Sequence, residues 1–318
     1  MKKKSLNKKN NTKTFLLSVI FVVLVVASIT AVLGLVIVEQ SKSTDSSTVN
    51  DEKTVNWRHV HGIGLDPVDP DILYIAAHGD FYQSLNGNLP VKVDEKRSDY
   101  MAFNAPPSPG IPLYASGHPS TGGNTGLIKS NNGGKTWEFV SNVIEPPADF
   151  HAMAISKQDP NVLIGFDSGA RGLFKTTDAG ITWNSLEYPE YISALAISPN
   201  DSDSIFAGTG NGIYKSSDGG STWKHLNYKG ITVYAIVFDD EGHLFASVDM
   251  YGLVHSDDQG EVWNDMQDIN LTVTSMAADS QKKMLYVGGY SPEGFQEVFK
   301  IPYDVSFYEI IGTNKGLK

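Results

Sequence analysis

The 318-residue sequence predicts an all-β fold, a six-bladed β-propeller with seven blades as the alternative count, preceded by one transmembrane helix. Three observations predict it. The chain is 41% hydrophobic yet holds 30 Gly and 15 Pro, which suits many short strands joined by turns and not a helical bundle. A short segment recurs with Trp spacings of 46, 40 and 40 residues, the mark of a repeat architecture. An uncharged apolar run lies close to the N-terminus.

That run, Phe15 to Val38, is 24 residues without a charge. A bilayer core takes about 20 residues and the apolar part of a cleaved signal peptide about 7–15, so the length predicts an uncleaved anchor over 15–38. Six Lys precede residue 14 and every acidic residue follows it. The positive-inside rule therefore predicts a basic cytoplasmic tail over 1–14 and everything after the span on the outer side of the cytoplasmic membrane. Residues 39–54, EQSKSTDSSTVNDEKT, are polar and poor in apolar side chains, so they read as a flexible stalk ahead of an extracellular propeller over 55–318.

Four segments align as boxes: SNNGGKTW, TTDAGITW, SSDGGSTW and SDDQGEVW, ending at Trp137, Trp183, Trp223 and Trp263. The third residue of each box, Asn132, Asp178, Asp218 or Asp258, is a side chain that accepts hydrogen bonds from its own tight turn. The following Gly tolerates a left-handed backbone there. A degraded fifth copy lies at Ser84–Asn86. Six second strands align, from Leu73–His78 to Leu285–Tyr290, and each repeat supplies four short strands, as a propeller blade does. Whether the last blade completes itself with Ser306–Ile311 or borrows the segment around Trp57 is left open by the sequence.

In a propeller the start of each first strand and the end of each second strand share one face, at the mouth of the central channel. The first-strand ring reads His61, Asp99, His151, Ser193, Tyr234, Thr274, and the second-strand ring His78, His118, Ser168, Gly210, Asp249, Tyr290. His59 stands at the same entrance. Imidazole with carboxylate is the ligand chemistry of Zn, Fe, Ni or Cu, so His61, His78, His118, His151 and Asp99 form a candidate divalent-metal set. The alternative reading of these residues is a solvated polar mouth with no ion. With or without metal, His59, His61, His78, His118, His151, Asp249 and Tyr290 are candidate ligand-binding residues. Carboxylates offer a second chemistry, because glycoside hydrolysis needs a suitably spaced carboxyl pair. Asp99, Asp167 and Asp249 are the candidate catalytic residues, with Asp80, Asp149 and Glu293 near the same face.

Other classes are disfavoured. Beyond residue 14, 19 basic residues stand against 36 acidic ones, so no nucleic-acid footprint is expected. With no Cys, there are neither disulfides nor thiolate sites.

The boxes resemble the Asp-box, or BNR, repeat S-x-D-x-G-x-T-W, and the resemblance extends over about residues 57–318. It implies that Asn132, Trp137, Asp178, Trp183, Asp218, Trp223, Asp258 and Trp263 are structural, the Trp packing between neighbouring sheets. The sequence is also similar to bacterial secreted propellers carried under a glycosylhydrolase label and, more distantly, to sortilin-type receptors and the photosystem II assembly factor, which are binding proteins. Sialidases of the wider family clamp a carboxylate with three Arg. Here Arg97 lies between blades and blades 4 to 6 offer no match, so sialidase activity is not implied. The expectation is a membrane-anchored module that binds an extracellular glycan or protein ligand at the channel mouth; the alternative is a glycoside hydrolase acting on an extracellular polysaccharide from the same face.

Overall fold

Turns rich in Gly, Asn and Asp cut the chain into strands of two to nine residues, too short to bury a face alone. The computed structural model describes residues 54–105, 107–266 and 269–314. Among these residues, 24 strands form six four-stranded antiparallel sheets, each a simple meander in chain order. The expected tail, anchor and stalk lie outside the described residues, apart from Thr54 at the end of the stalk. No helix among the described residues is long and apolar enough to cross a membrane.

The first strands of the six blades are Val60–Leu65, Ser98–Asn104, Phe150–Ile155, Ile192–Ser198, Val233–Phe238 and Thr272–Asp279. Each packs on the next, and the sixth packs on the first, so the ring is closed. Between neighbouring blades lies an apolar core. Phe81 and Tyr74 of blade 1 meet Tyr100 and Phe103 of blade 2, and the same arrangement recurs round to blade 6, whose Val298 and Ile311 meet Val60 and Ile63. The closure left open by the sequence uses both segments. Blade 6 is completed by its own outer strand, Glu309–Asn314. The N-terminal strap then lies alongside it, with Thr54 bridging Thr313 in parallel and Val55 N–H donating to the Thr313 carbonyl at 2.9 Å. Trp57, 1% exposed, is the plug of this joint, and its indole N–H donates to the Gln296 carbonyl at 3.2 Å.

The boxes fold as their residue types require. Asp178 Oδ1 accepts from Thr182 N–H at 2.9 Å and from the Thr176 hydroxyl at 2.6 Å, and the Trp183 indole donates to the Gly180 carbonyl at 3.0 Å. Gly180 has a positive φ of 89°, and a Cβ there would meet Leu127 of the preceding blade at 2.2 Å, so no other residue fits without displacement. Trp137, Trp183, Trp223 and Trp263 each pack into the core shared with the blade before. Every box joins the third strand of its blade to the fourth. By antiparallel alternation that hairpin is on the face opposite the starts of the first strands, so the boxes brace the ring away from the mouth.

Candidate functional site

The mouth is shaped by backbone irregularity. In blade 1, Val60 pairs with Ala77 and Gly62 with Ala76, which leaves His61 as the extra residue of a β-bulge. His151, Ser193, Tyr234 and Thr274 are the extra residues of equivalent bulges in blades 3 to 6. A bulge re-aims its side chain and is common beside binding sites. Here it places these residues on the wall of a central channel of about 370 Å³. Blade 2 departs from the pattern. Asp99 pairs regularly with His118, and the irregularity lies deeper, between Met101 and Asn104.

Each odd-numbered blade repeats a second feature. The residue after the second strand donates its N–H to the carbonyl of the residue two before the bulge: His78 to His59, Ser168 to Asp149, and Asp249 to Thr232, each at 2.8 Å. Three side chains are thereby brought together per blade. Blade 1 assembles His59, His61 and His78; blade 3 assembles Asp149, His151 and Ser168; blade 5 assembles Thr232, Tyr234 and Asp249.

The regular pair of blade 2 divides itself between its neighbours. Asp99 turns to blade 1, with Oδ1 2.9 Å from His61 Nε2 and Oδ2 2.9 Å from His78 Nδ1. His118 turns to blade 3, with Nε2 3.4 Å from Asp149 Oδ2, which also lies 3.2 Å from His151 Nε2 and accepts from the Ser168 hydroxyl at 2.6 Å. The five-residue metal set expected from the sequence is thus split: His61, His78 and Asp99 form one group, and His118 and His151 form another around Asp149. The ring alignment reveals which blades carry histidine, but the side-chain turn that divides them has no trace in the sequence. Asp149 belongs to this group by its position two residues before His151, as His59 stands two before His61.

Both carboxylates are held ionised. Burial alone raises the Asp99 carboxyl, but the His61 contact and the charges of His61, His78 and His118 outweigh it and keep it below the usual range. Burial likewise raises Asp149, and is outweighed by its bonds to His151 and Ser168 and by the charges of His151 and His118. His59 is lowered, first by burial and then by the neighbouring His61 and His78.

The remaining candidates have other surroundings. The Asp167 side chain is 1% exposed; Arg171 donates to its two oxygens at 3.0 and 2.6 Å, and Asp149 N–H donates to it at 2.9 Å, so it braces the blade 3 group from below. Asp249 is exposed and hydrogen-bonds Tyr234, whose hydroxyl burial and this carboxylate push up. Tyr290 stands edge-on to His59 with ring centres 5.9 Å apart. Asp80 is ion-paired to Lys92 and Arg97. In blades 4 and 6 the wall hydroxyls are spent on backbone: Ser193 donates to the Val233 carbonyl at 2.6 Å and Thr274 to the Gly288 carbonyl at 3.3 Å. The reactive side chains therefore concentrate on blades 1 to 3.

No family model matches the chain. Over 176 residues, 48% of its length, it is 26% identical to a probable oligoxyloglucan-reducing end-specific xyloglucanase of Neosartorya fischeri, of which it spans 21%. Among solved structures it resembles the GH74 xyloglucanase of Xanthomonas campestris, with a TM-score of 0.59 and 16% identity, over 81% of this chain and 46% of that one. It also resembles YCF48 from Cyanidioschyzon merolae, with a TM-score of 0.53 and 14% identity, over 79% of this chain and 98% of that one. The fold is shared. The chain spans about a fifth of the curated relative and under half of the xyloglucanase structure.

Proposed function

We propose that the protein is a glycan-binding propeller, anchored on the outer side of the cytoplasmic membrane, whose working surface is the channel mouth at blades 1 to 3. The observation that carries this reading is the cluster of five imidazoles and two carboxylates at the entrance of blades 1 to 3, from which His61 and His151 line the channel together with Tyr234, while Tyr290 stands against His59. Such a wall offers many hydrogen-bond partners with aromatic faces, the mixture that polyhydroxylated ligands need. The glycan class is supported by the xyloglucanase relative and by the fold that this chain shares with a xyloglucanase.

A second reading is hydrolysis of the same glycan, and the name of that relative favours it. The chemistry asks for a carboxylate to act as base or nucleophile and for a proton donor at the leaving oxygen. Asp99 and Asp149, both ionised, suit only the first role. Asp94, a carboxyl raised overall because burial outweighs its hydrogen bonds and the Lys92 charge, follows the outer strand of blade 1, accepts from the Tyr100 hydroxyl and is not among the residues that line the channel. The imidazole nitrogens nearest Asp149 are His151 Nε2 at 3.2 Å and His118 Nε2 at 3.4 Å. Binding asks for no donor, so it is the leading reading.

Both readings are tested by presenting the full-length chain to a panel of polysaccharides that includes xyloglucan, following bound protein and released reducing ends in parallel. Retention on one glycan class without release is expected. Release that Asp99→Asn or Asp149→Asn abolishes, with retention and melting temperature unchanged, would replace the binding reading with the hydrolase one. Retention on none of the glycans would remove both.

A further inference from the structure

From the geometry at blades 1 and 2 we infer a binding site for one first-row divalent metal ion, such as Zn(II) or Cu(II), held by His61, His78 and Asp99. The inference stands on this geometry and not on the glycan reading. His61 Nε2 and Asp99 Oδ1 form a contact of 2.9 Å and hydrogen-bond no other group, while His78 Nδ1 approaches the second oxygen of the same carboxylate at 2.9 Å, so two imidazole nitrogens converge on one carboxylate.

The spacing suits a metal. Imidazole and carboxylate ligands sit about 2.0–2.2 Å from a tetrahedral ion, which places neighbouring ligand atoms about 3.3 Å apart. Here His61 Nε2 lies 2.9 Å from Asp99 Oδ1 and His78 Nδ1 2.9 Å from Oδ2, and with one atom taken from each residue the three ligand atoms lie within 4.8 Å of one another. The His61 and His78 ring centres are 6.0 Å apart, and two imidazoles on one ion need about 5.2–5.5 Å, so a contraction below about 1 Å brings this pair to ligand spacing. Nitrogen ligands with a single carboxylate favour Zn(II), Cu(II) or Ni(II) over Ca(II) and Mg(II), which demand oxygen.

The blade 3 group is different. Asp149 Oδ2 already accepts from Ser168 and His118 Nδ1 lies 3.2 Å from the Gly123 carbonyl, so two of its ligand groups are engaged in protein contacts, although Asp149 Oδ1 is not. The acidic turn at Asp239, Glu241 and His243 also brings ligand atoms together, but Asp239 accepts there from two backbone N–H groups and the Tyr303 hydroxyl and closes its own hairpin.

The test uses the full-length chain purified without a histidine tag, stripped of metal and then dialysed after loading with Zn(II) or, separately, Cu(II). Elemental mass spectrometry gives the retained equivalents. The paired substitution His61→Ala/His78→Ala should remove one equivalent, while His118→Ala/His151→Ala should leave that equivalent in place. The loss in affinity should exceed the roughly 10–100-fold that removal of a supporting residue costs. The unsubstituted Cu(II) protein should show nitrogen couplings from bound imidazole in its electron paramagnetic resonance spectrum, a readout that does not depend on any variant folding. No metal retained, no nitrogen coupling, or retention unchanged by His61→Ala/His78→Ala would overturn the inference.

Discussion

Asn132 and Asp178 solve the same turn with different atoms. Each Oδ1 accepts the N–H of the residue four positions on, at 2.9 Å, but Asp178 Oδ2 accepts from the Thr182 hydroxyl at 2.6 Å whereas Asn132 Nδ2 donates to the Thr136 hydroxyl at 2.8 Å. The hydroxyl simply reverses. A carboxylate is therefore not required, but where present it couples the box to pH. Asp178 and Asp218 are lowered to about 2, by the hydroxyl and N–H groups of their own turns. A group whose folded value is below its unfolded value of 3.8 contributes stability that is complete above about pH 4 and is lost as pH falls towards 2. The paired variant Asp178→Asn/Asp218→Asn should keep a melting temperature within a few degrees of the parent at neutral pH. It should lose less than the parent between pH 4 and pH 2, as a thermal melt series checks; equal losses would show that the box carboxylates do not set the acid response.

At the scale of elements, the periodic parts of the fold were legible and the irregular ones were not. Trp spacing and the alternation of the second strands disclose six blades because a repeat buries the same positions every time. The bulges at His61, His151, Ser193, Tyr234 and Thr274 leave no such record, since one extra residue before a strand looks the same in the sequence as one more residue of loop. The aligned rings still place these residues at equivalent positions, because alignment on the strand interiors carries the bulge along unseen. Closure was undecidable for a related reason: the strap at 54–57 pairs with residues more than 200 positions away, and local patterning does not report such a partner. Its weight can be measured. Trp57 is fully buried between the first and last blades, so Trp57→Ala should cost about 3–5 kcal/mol in denaturant unfolding. A loss below about 1 kcal/mol would mean that the strap merely rests on a ring already closed by blade 6.

On the scale of the whole molecule, the ring separates the bracing boxes from the histidine-rich mouth. The boxes occupy one face, and the other gathers histidine and aspartate from three consecutive blades around the channel, while blades 4 and 6 spend their wall hydroxyls on backbone. Legibility was partial here as well. The sequence identifies the face and the blades, but the assignment of Asp99 to blade 1 and of His118 to blade 3 arises from tertiary packing alone. The central claim is that the blade 1 to 3 mouth is the binding surface. It is tested most directly by a binding isotherm of a xyloglucan oligosaccharide to the full-length chain, to His118→Ala/Asp149→Asn at the mouth, and to Asp218→Asn on the opposite face. Saturable binding that weakens by at least about tenfold, or about 1.4 kcal/mol, in the mouth variant and is unchanged in the box variant is the predicted result. Binding that ignores the mouth substitutions, or no binding by the parent chain, would contradict it.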